Sequence, residues 1–243
     1  MVFAILAAGE GSRLADEGLT TPKPLLTIQG KPMIDRLVNI FMNAGAEKIF
    51  VIANDIHKQT KEHIASMADN GLPVELIVKT TPSSMHSFFE IHRCLGQGKF
   101  CLTTVDTIFK EQEFYDFINA FKDSNDNGMM AVTDFVDDEK PLYISYDKKG
   151  FITGFHDSMM QFRETGLEKE KHAVCDVISG GIYCLDESCF HTLQWCMDNG
   201  MSRMRNFQRQ LITDGLRLKT YKFSKILDVD HVDDIAKAEQ FLA

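Results

Sequence analysis

The chain has 243 residues, 44% hydrophobic and 25% charged, with a formal net charge of −9, a composition that belongs to globular proteins rather than to disordered or membrane-embedded ones. Phosphate backbones require clustered Lys and Arg, so the negative balance argues against a broad nucleic-acid surface while leaving room for a local basic pocket. No apolar run approaches the roughly 20 residues that span a bilayer, and the expectation is a cytoplasmic protein, monomeric or homodimeric, with neither nucleic-acid nor membrane partners.

Residues 1–6 (MVFAIL) carry no basic lead-in and run straight towards glycines, so 2–6 reads as a first strand and not as part of a signal peptide. Over 33–44, Met33, Leu37, Ile40, Phe41 and Ala44 recur at helical spacing and Gly45 supplies the stop. A β-branched run at 48–53, a polar helix at 57–69, a strand at 74–78, a helix at 84–95 and a strand at 100–105 continue the alternation. The helix at 111–122 places Phe114, Phe117, Ile118 and Phe121 on one face, and a fifth strand follows at 129–133. Four β-α repeats with short connections predict a parallel sheet. In such sheets ligands gather beyond the carboxyl ends of the strands, so the loops after Leu6, Ala53, Val78 and Val105 are expected to share one edge.

The regular alternation stops near residue 134. Segments 143–146 and 151–155 flank Asp147-Lys148-Lys149-Gly150 as a hairpin, and 158–171 reads as either a helix or a mobile flap. A strand at 174–185 surrounds Gly180-Gly181. Asp186 is placed to cap a helix running to Asn199, a second helix covers 203–214, strands are expected at 218–222 and 225–227, and a helix at 232–242 closes the chain. The six cysteines show no C-x-x-C pair or zinc spacing and read as small buried hydrophobes of a reducing compartment.

The most informative segment is Leu6-Ala7-Ala8-Gly9-Glu10-Gly11-Ser12-Arg13-Leu14. Glycines let a backbone approach a ligand and adopt positive φ, so that successive N–H groups form an anion-binding nest, and Arg13 adds a cationic fork suited to phosphate oxygens. The segment is neither G-x-G-x-x-G nor a Walker A sequence; the alternative is a tight strand-to-helix turn with a solvated Arg. In Thr21-Pro22-Lys23-Pro24-Leu25-Leu26, two prolines fix the backbone around Lys23. The competing reading is a Pro-rich turn with an exposed Lys.

In combination, L-A-A-G-E-G-S-R-L, P-K-P-L-L and G-K-P-M-I (30–34) resemble the signature of the sugar-phosphate nucleotidyltransferases, also called NDP-sugar pyrophosphorylases. The resemblance implies an α/β fold with a Rossmann-like mixed, mostly parallel sheet flanked by helices, of the glycosyltransferase-A-like kind. It implies a single domain over 1–243, with a nucleotide-binding half at 1–133 and an acceptor-binding half at 134–243. It also implies a magnesium-dependent reaction, in which NMP passes from a nucleoside triphosphate to a small phosphorylated acceptor with release of pyrophosphate. The Gly9–Arg13 loop would wrap the triphosphate, with Arg13 on the leaving pyrophosphate and Lys23 on the α-phosphate.

Asp106 follows the fourth strand in Thr103-Thr104-Val105-Asp106, where the family usually shows G-D, and is expected to hold Mg²⁺; taken alone, such an Asp is usually a turn former or a cap. Leu227-Asp228-Val229-Asp230 with Asp233, Asp234 and Glu239 resembles the family's closing acidic segment. Strand geometry leaves Asp228 and Asp230 both open as the second metal carboxylate, and the resemblance favours Asp230; Asp233 and Asp234 suit the positive end of the last helix. Thr81, Ser83 and Ser84 open a helix where the family binds its nucleobase, although Ser83 or Ser84 equally suits a helix cap. Ser179-Gly180-Gly181-Ile182-Tyr183 resembles the strand that faces the acceptor, with Ser179 in place of Asn. The family's E-K-P is replaced by Gly154-Phe155-His156-Asp157-Ser158; Asp157 stands in for the acid and no lysine follows. No pair among His86, His156 and His231 has metal spacing. The favoured acceptor is a sugar 1-phosphate; the alternatives are a cytidylyltransferase acting on a phospho-alcohol such as phosphocholine, and a nucleotide-binding regulatory module without catalysis.

Overall fold

Apolar runs of strand length, each followed by an amphipathic stretch, fold as strands with covering helices. The computed structural model describes residues 1–137, 139–170 and 172–243. Strand β1 (Val2–Ala7) leads through a short helix α1 (Ser12–Asp16) and a small hairpin, β2 (Thr27–Ile28) and β3 (Lys31–Pro32), into α2 (Met33–Asn43). Next come β4 (Lys48–Ala53), α3 (Lys58–Asp69), β5 (Val74–Val78), α4 (Ser84–Ile91), β6 (Phe100–Thr104), the short β7 (Thr107–Ile108), α5 (Glu111–Asp123) and β8 (Gly128–Thr133). The second part comprises β9 (Tyr143–Tyr146), β10 (Ile152–His156), α6 (Met159–Glu164), α7 (Leu167–Glu170), β11 (Val174–Leu185), α8 (Cys189–Asp198) and α9 (Met204–Thr213). It ends with β12 (Leu218–Lys222), β13 (Leu227–Asp228) and α10 (Val232–Leu242).

Among the described residues nine strands form one sheet in the order β10-β9-β11-β6-β1-β4-β5, with β8 against β11 and β12 against β8. The central set β6-β1-β4-β5 is parallel. β1 and β4 are buried along nearly their whole length because helices cover both faces, which is why they read as continuous apolar runs. The fifth expected strand, β8, stands outside this set, antiparallel to β11 and parallel to β12. β11 runs antiparallel to β6 through Ile182–Leu185 and to β9 through Val174–Ile178, so the sheet is mixed.

Aromatic side chains fill both faces. On one, Phe41 packs 4.7 Å from Phe3 and 5.4 Å from Phe114 between ring centres. On the other, Phe88 meets Phe100 at 5.9 Å and Phe207 at 5.5 Å. A third, smaller core of Leu14, Leu26, Ile28, Met33, Ile108, Leu227, Val229 and Ala238 joins α1, the β2–β3 hairpin, β7–β13 and α10. It binds the start of the chain to its closing segment.

Several expectations need correction. The strand expected at 225–227 is β13, which leaves the main sheet to pair with β7. The helix expected over 84–95 ends at Ile91 and tightens into a 3₁₀ turn at His92–Cys94. The segment at 158–171 forms the two short helices α6 and α7, and its last residue, Lys171, lies outside the described residues. All six cysteines are free, but Cys94 is exposed rather than buried. Among the described residues no helix is long and apolar enough to cross a membrane.

Candidate active site

The carboxyl ends of the parallel strands do share one edge, and a cleft of about 640 Å³ opens there. Residues 6–14, Lys23, 81–84 and 104–106 line it, together with Asp230. Gly11 lies in the left-handed region at φ 67°, and a Cβ on it would stand 3.3 Å from the Cβ of Lys23; it serves both the turn and the close approach of the lysine. Gly9 has neither a positive φ nor a close neighbour, so the left-handed conformation expected of the loop is confined to Gly11.

Lys23 begins a 3₁₀ turn between Pro22 and Pro24, closed by the Leu25 N–H donating to the Pro22 carbonyl at 2.8 Å. Its side chain is 11% exposed, and its ammonium donates both to Asp106 and to Asp230 Oδ1, the latter at 2.7 Å. Arg13 Nη1 donates to the other oxygen of Asp230 at 2.7 Å. Two carboxylates bonded to one nitrogen have oxygens within roughly 6 Å of each other. The backbone explains how residues so far apart meet. β7 and β13 pair antiparallel, Asp228 opposite Thr107, and the Val229 N–H continues the ladder by donating to the Asp106 carbonyl at 3.1 Å.

Burial works to lower the Lys23 ammonium, but the charges of Asp106 and Asp230 and its hydrogen bonds to them outweigh it and hold the group above its ordinary value. Burial likewise works to raise Asp106, and the Lys23 charge, with hydrogen bonds from Lys23 and Thr104, holds it below the usual carboxylate range. Val105, standing where the family has glycine, buries its side chain in the core while its N–H donates to the Leu6 carbonyl at 3.1 Å. The substitution therefore leaves Asp106 at the cleft.

Ser83 lines the cleft and also caps α4, its hydroxyl accepting from the His86 N–H. Thr81 and Ser87 share a hydroxyl–hydroxyl bond of 2.6 Å beside it. Asp234 takes the N–H groups of Asp230 and His231 at 3.1 and 2.8 Å, completing a capping box for α10. His231 Nδ1 pairs with Glu17 Oε1 at 2.5 Å, a second tie between α1 and the closing segment.

A second cleft of about 320 Å³ adjoins the first and shares Ser83, Ser84, Thr104 and Asp106 with it. Ser179, Gly181 and Tyr183 line it from β11, and Lys140, Arg203 and Arg205 bring positive charge. Burial pushes the Tyr183 phenol up to about 12, further from neutral pH than an ordinary phenol. Gly181 lies at φ 71° beside the hydroxyls of Thr107 and Thr104. Gly180 does not line this cleft, and a Cβ there would stand 2.2 Å from Cδ1 of Ile226, so a larger residue would need that side chain to move. Asp157 does not line either cleft. It is held by Arg205 and, at 2.7 Å, by Arg209, and Arg205 also donates to the Lys140 carbonyl at 3.1 Å. The carboxylate expected to face the acceptor instead fixes a guanidinium that lines the second cleft. Lys140, Arg203, Arg205 and Gln208 were missed in the sequence because no motif surrounds them; a Ser-Arg-Met-Arg start to an amphipathic helix was the available signal.

The nucleotidyl transferase family model matches residues 3–243. The chain belongs to the nucleotidyl transferase family. Among relatives, the 2-aminoethylphosphonate cytidylyltransferase of Lancefieldella rimae is 29% identical over 115 residues, 46% of this chain and 45% of that one. The mannose-1-phosphate guanylyltransferase catalytic subunit beta of Drosophila pseudoobscura pseudoobscura is 24% identical over 195 residues, 78% of this chain and 49% of that one. The chain spans about half the length of the curated relatives it matches. The structure of the inositol-1-phosphate CTP transferase from T. maritima superimposes with a TM-score of 0.77 at 15% identity, covering 100% of this chain and 97% of that one. At that identity the likeness is one of fold.

Proposed function

We propose that the protein transfers a nucleotidyl group from a nucleoside triphosphate to a small acceptor carrying a phosphate or phosphonate, releasing pyrophosphate. The observation that carries this reading is the joining of Arg13, Lys23, Asp106 and Asp230 into one charge cluster between a glycine-loop cleft and a cation-lined cleft. Phosphoryl-type transfer depends on positioning and charge neutralisation more than on covalent help from the protein. Lys23 and Arg13 spread the negative charge of the α-phosphate and the departing pyrophosphate. Arg203, Arg205 and Lys140 offset the charge of the acceptor, whose attacking oxygen is already ionised at neutral pH and needs no base.

Asp106 and Asp230 fit a magnesium ion. Both are hard oxygen donors, and they already converge on one cation, the Lys23 ammonium. Among the described residues no three His, Cys, Asp or Glu groups gather as a complete metal site, so phosphate oxygens and water would fill the other positions. When bound, the ion neutralises phosphate charge and aligns the reacting groups.

For the acceptor, the commitment of Asp157 to Arg205 and Arg209 leaves the second cleft without the acid–lysine pair of the sugar-binding members. This supports CTP with a phospho-alcohol or an aminoalkylphosphonate, the class named for the Lancefieldella rimae relative. It moves the sugar 1-phosphate expected from the sequence to second place, where the mannose-1-phosphate guanylyltransferase relative still supports it. The test sets each of the four nucleoside triphosphates against phosphocholine, 2-aminoethylphosphonate and a set of sugar 1-phosphates, with and without Mg²⁺, reading pyrophosphate. Release that needs nucleotide, acceptor and Mg²⁺ together supports the proposal. Nucleotide binding without release under every combination would indicate the non-catalytic module.

A further inference from the structure

Asn54 follows β4 directly, one strand away from the glycine loop, and is 3% exposed. Its side-chain amide nitrogen donates to two successive carbonyls of that loop, Ala8 at 3.3 Å and Gly9 at 3.0 Å. The amide oxygen accepts from the Ile56 N–H at 3.2 Å. These partners fix which end of the amide is which, because the carbonyls can only accept and the N–H can only donate.

In a planar trans peptide the C=O of one residue and the N–H of the next point in opposite directions. Holding the Ala8 carbonyl towards Asn54 therefore turns the Gly9 N–H away from it, and holding the Gly9 carbonyl turns the Glu10 N–H away likewise. Both residues line the nucleotide cleft. Among the described residues no protein group accepts from either N–H. Two donors with no protein partner, aligned by one buried amide at the edge of a cleft, are what an anionic ligand requires.

We infer that Asn54 is a positioning residue for nucleotide binding: its amide clamps the Ala8 and Gly9 carbonyls so that the following N–H groups face the polyphosphate. The inference rests on the nucleotide-binding reading and adds to it a residue that touches no ligand. Asn54→Asp keeps the shape, removes both donors and sets a charge against two carbonyl oxygens. The experiment measures binding of CTP, CMP and inorganic tripolyphosphate by titration calorimetry with Mg²⁺, alongside the melting temperature. The expected result for Asn54→Asp is at least a tenfold loss for CTP and tripolyphosphate, about one charge-assisted hydrogen bond, with CMP affinity changed less than about threefold. Asn54→Ser, which keeps one short donor, falls between, and it carries the comparison should Asn54→Asp not fold.

Equal losses for all three ligands would reduce Asn54 to a general structural role, and unchanged binding of CTP and tripolyphosphate would remove its role altogether; either overturns the inference while leaving nucleotidyl transfer intact. A wild-type chain that binds tripolyphosphate and all four nucleoside triphosphates no better than background would overturn the nucleotide reading and this inference with it.

Discussion

Replacing Lys23 with Met removes the cation shared by Asp106 and Asp230 while keeping a stem of similar length. Taking one partner from a buried ionic set costs about 3–5 kcal/mol, since the remaining charges stay behind uncompensated. Lys23 is 11% exposed, but the Asp230 side chain is 39% exposed and water relieves part of that penalty, which puts the expected loss at about 2–3 kcal/mol. In a chain of 243 residues this corresponds to a melting temperature lower by about 4–6 °C. The measurement is a thermal melt in EDTA and again in millimolar Mg²⁺. A divalent ion held by the two carboxylates would supply the charge that the variant lacks, so under the proposed function Mg²⁺ should raise the melting point of Lys23→Met more than that of the wild type. Pyrophosphate release should fall by about 10²–10³, the usual effect of losing one preorganised cation or donor at developing charge. A variant melting within a degree of the wild type in EDTA, with no extra response to Mg²⁺, would refute the claim that Lys23 is the counterion of these carboxylates.

The same pair sets a pH dependence. Asp106, held below its ordinary 3.8, contributes stability above that pH that is lost as pH falls through the depressed value. Lys23, held above its ordinary 10.5, contributes stability below that pH that is lost as pH rises towards the raised value. The urea-midpoint difference between wild type and Lys23→Met should therefore be level from about pH 5 to 9 and shrink below about pH 3; a difference that grows in acid would contradict the assignment. Arg205→Ala should raise KM for the acceptor by about 10- to 100-fold, the worth of a hydrogen bond to a charged group, with KM for the nucleotide unchanged; parallel rises in both constants would place Arg205 elsewhere. Phe114→Ala, at a fully buried position stacked between Phe41 and Phe109, should cost about 3–5 kcal/mol in denaturant titrations. Its kcat/KM per folded molecule should stay near that of the wild type.

The parallel centre of the fold was legible because β1 and β4 are apolar for nearly their whole length and its helices carry one apolar stripe, as in the Phe114–Phe121 face of α5. The glycine loop, Lys23, Asp106 and Asp230 were legible as motifs, and the structure brings them together through the β7–β13 pairing. That pairing was not legible: two-residue strands leave no periodic trace, and β13 was expected in the wrong place. Asn54 and Arg205 were hidden for a different reason. The roles proposed for them rest on partners distant in sequence, the Ala8 and Gly9 carbonyls for one and Asp157 for the other, and an isolated polar residue at the end of a strand or the start of a helix announces no partner. The role expected of Asp157 shows the converse, since its position after the hairpin was readable but the direction of its carboxylate was not.

Strand β11 bonds to β6 with its last residues and to β9 with its first, while β8 runs along its other side. The part of the chain that carries the glycine loop and the part that carries the second cleft are therefore sewn along a common seam. A clamshell motion that pulled them apart would have to unzip that seam. The two clefts therefore open over one continuous sheet rather than across a hinge.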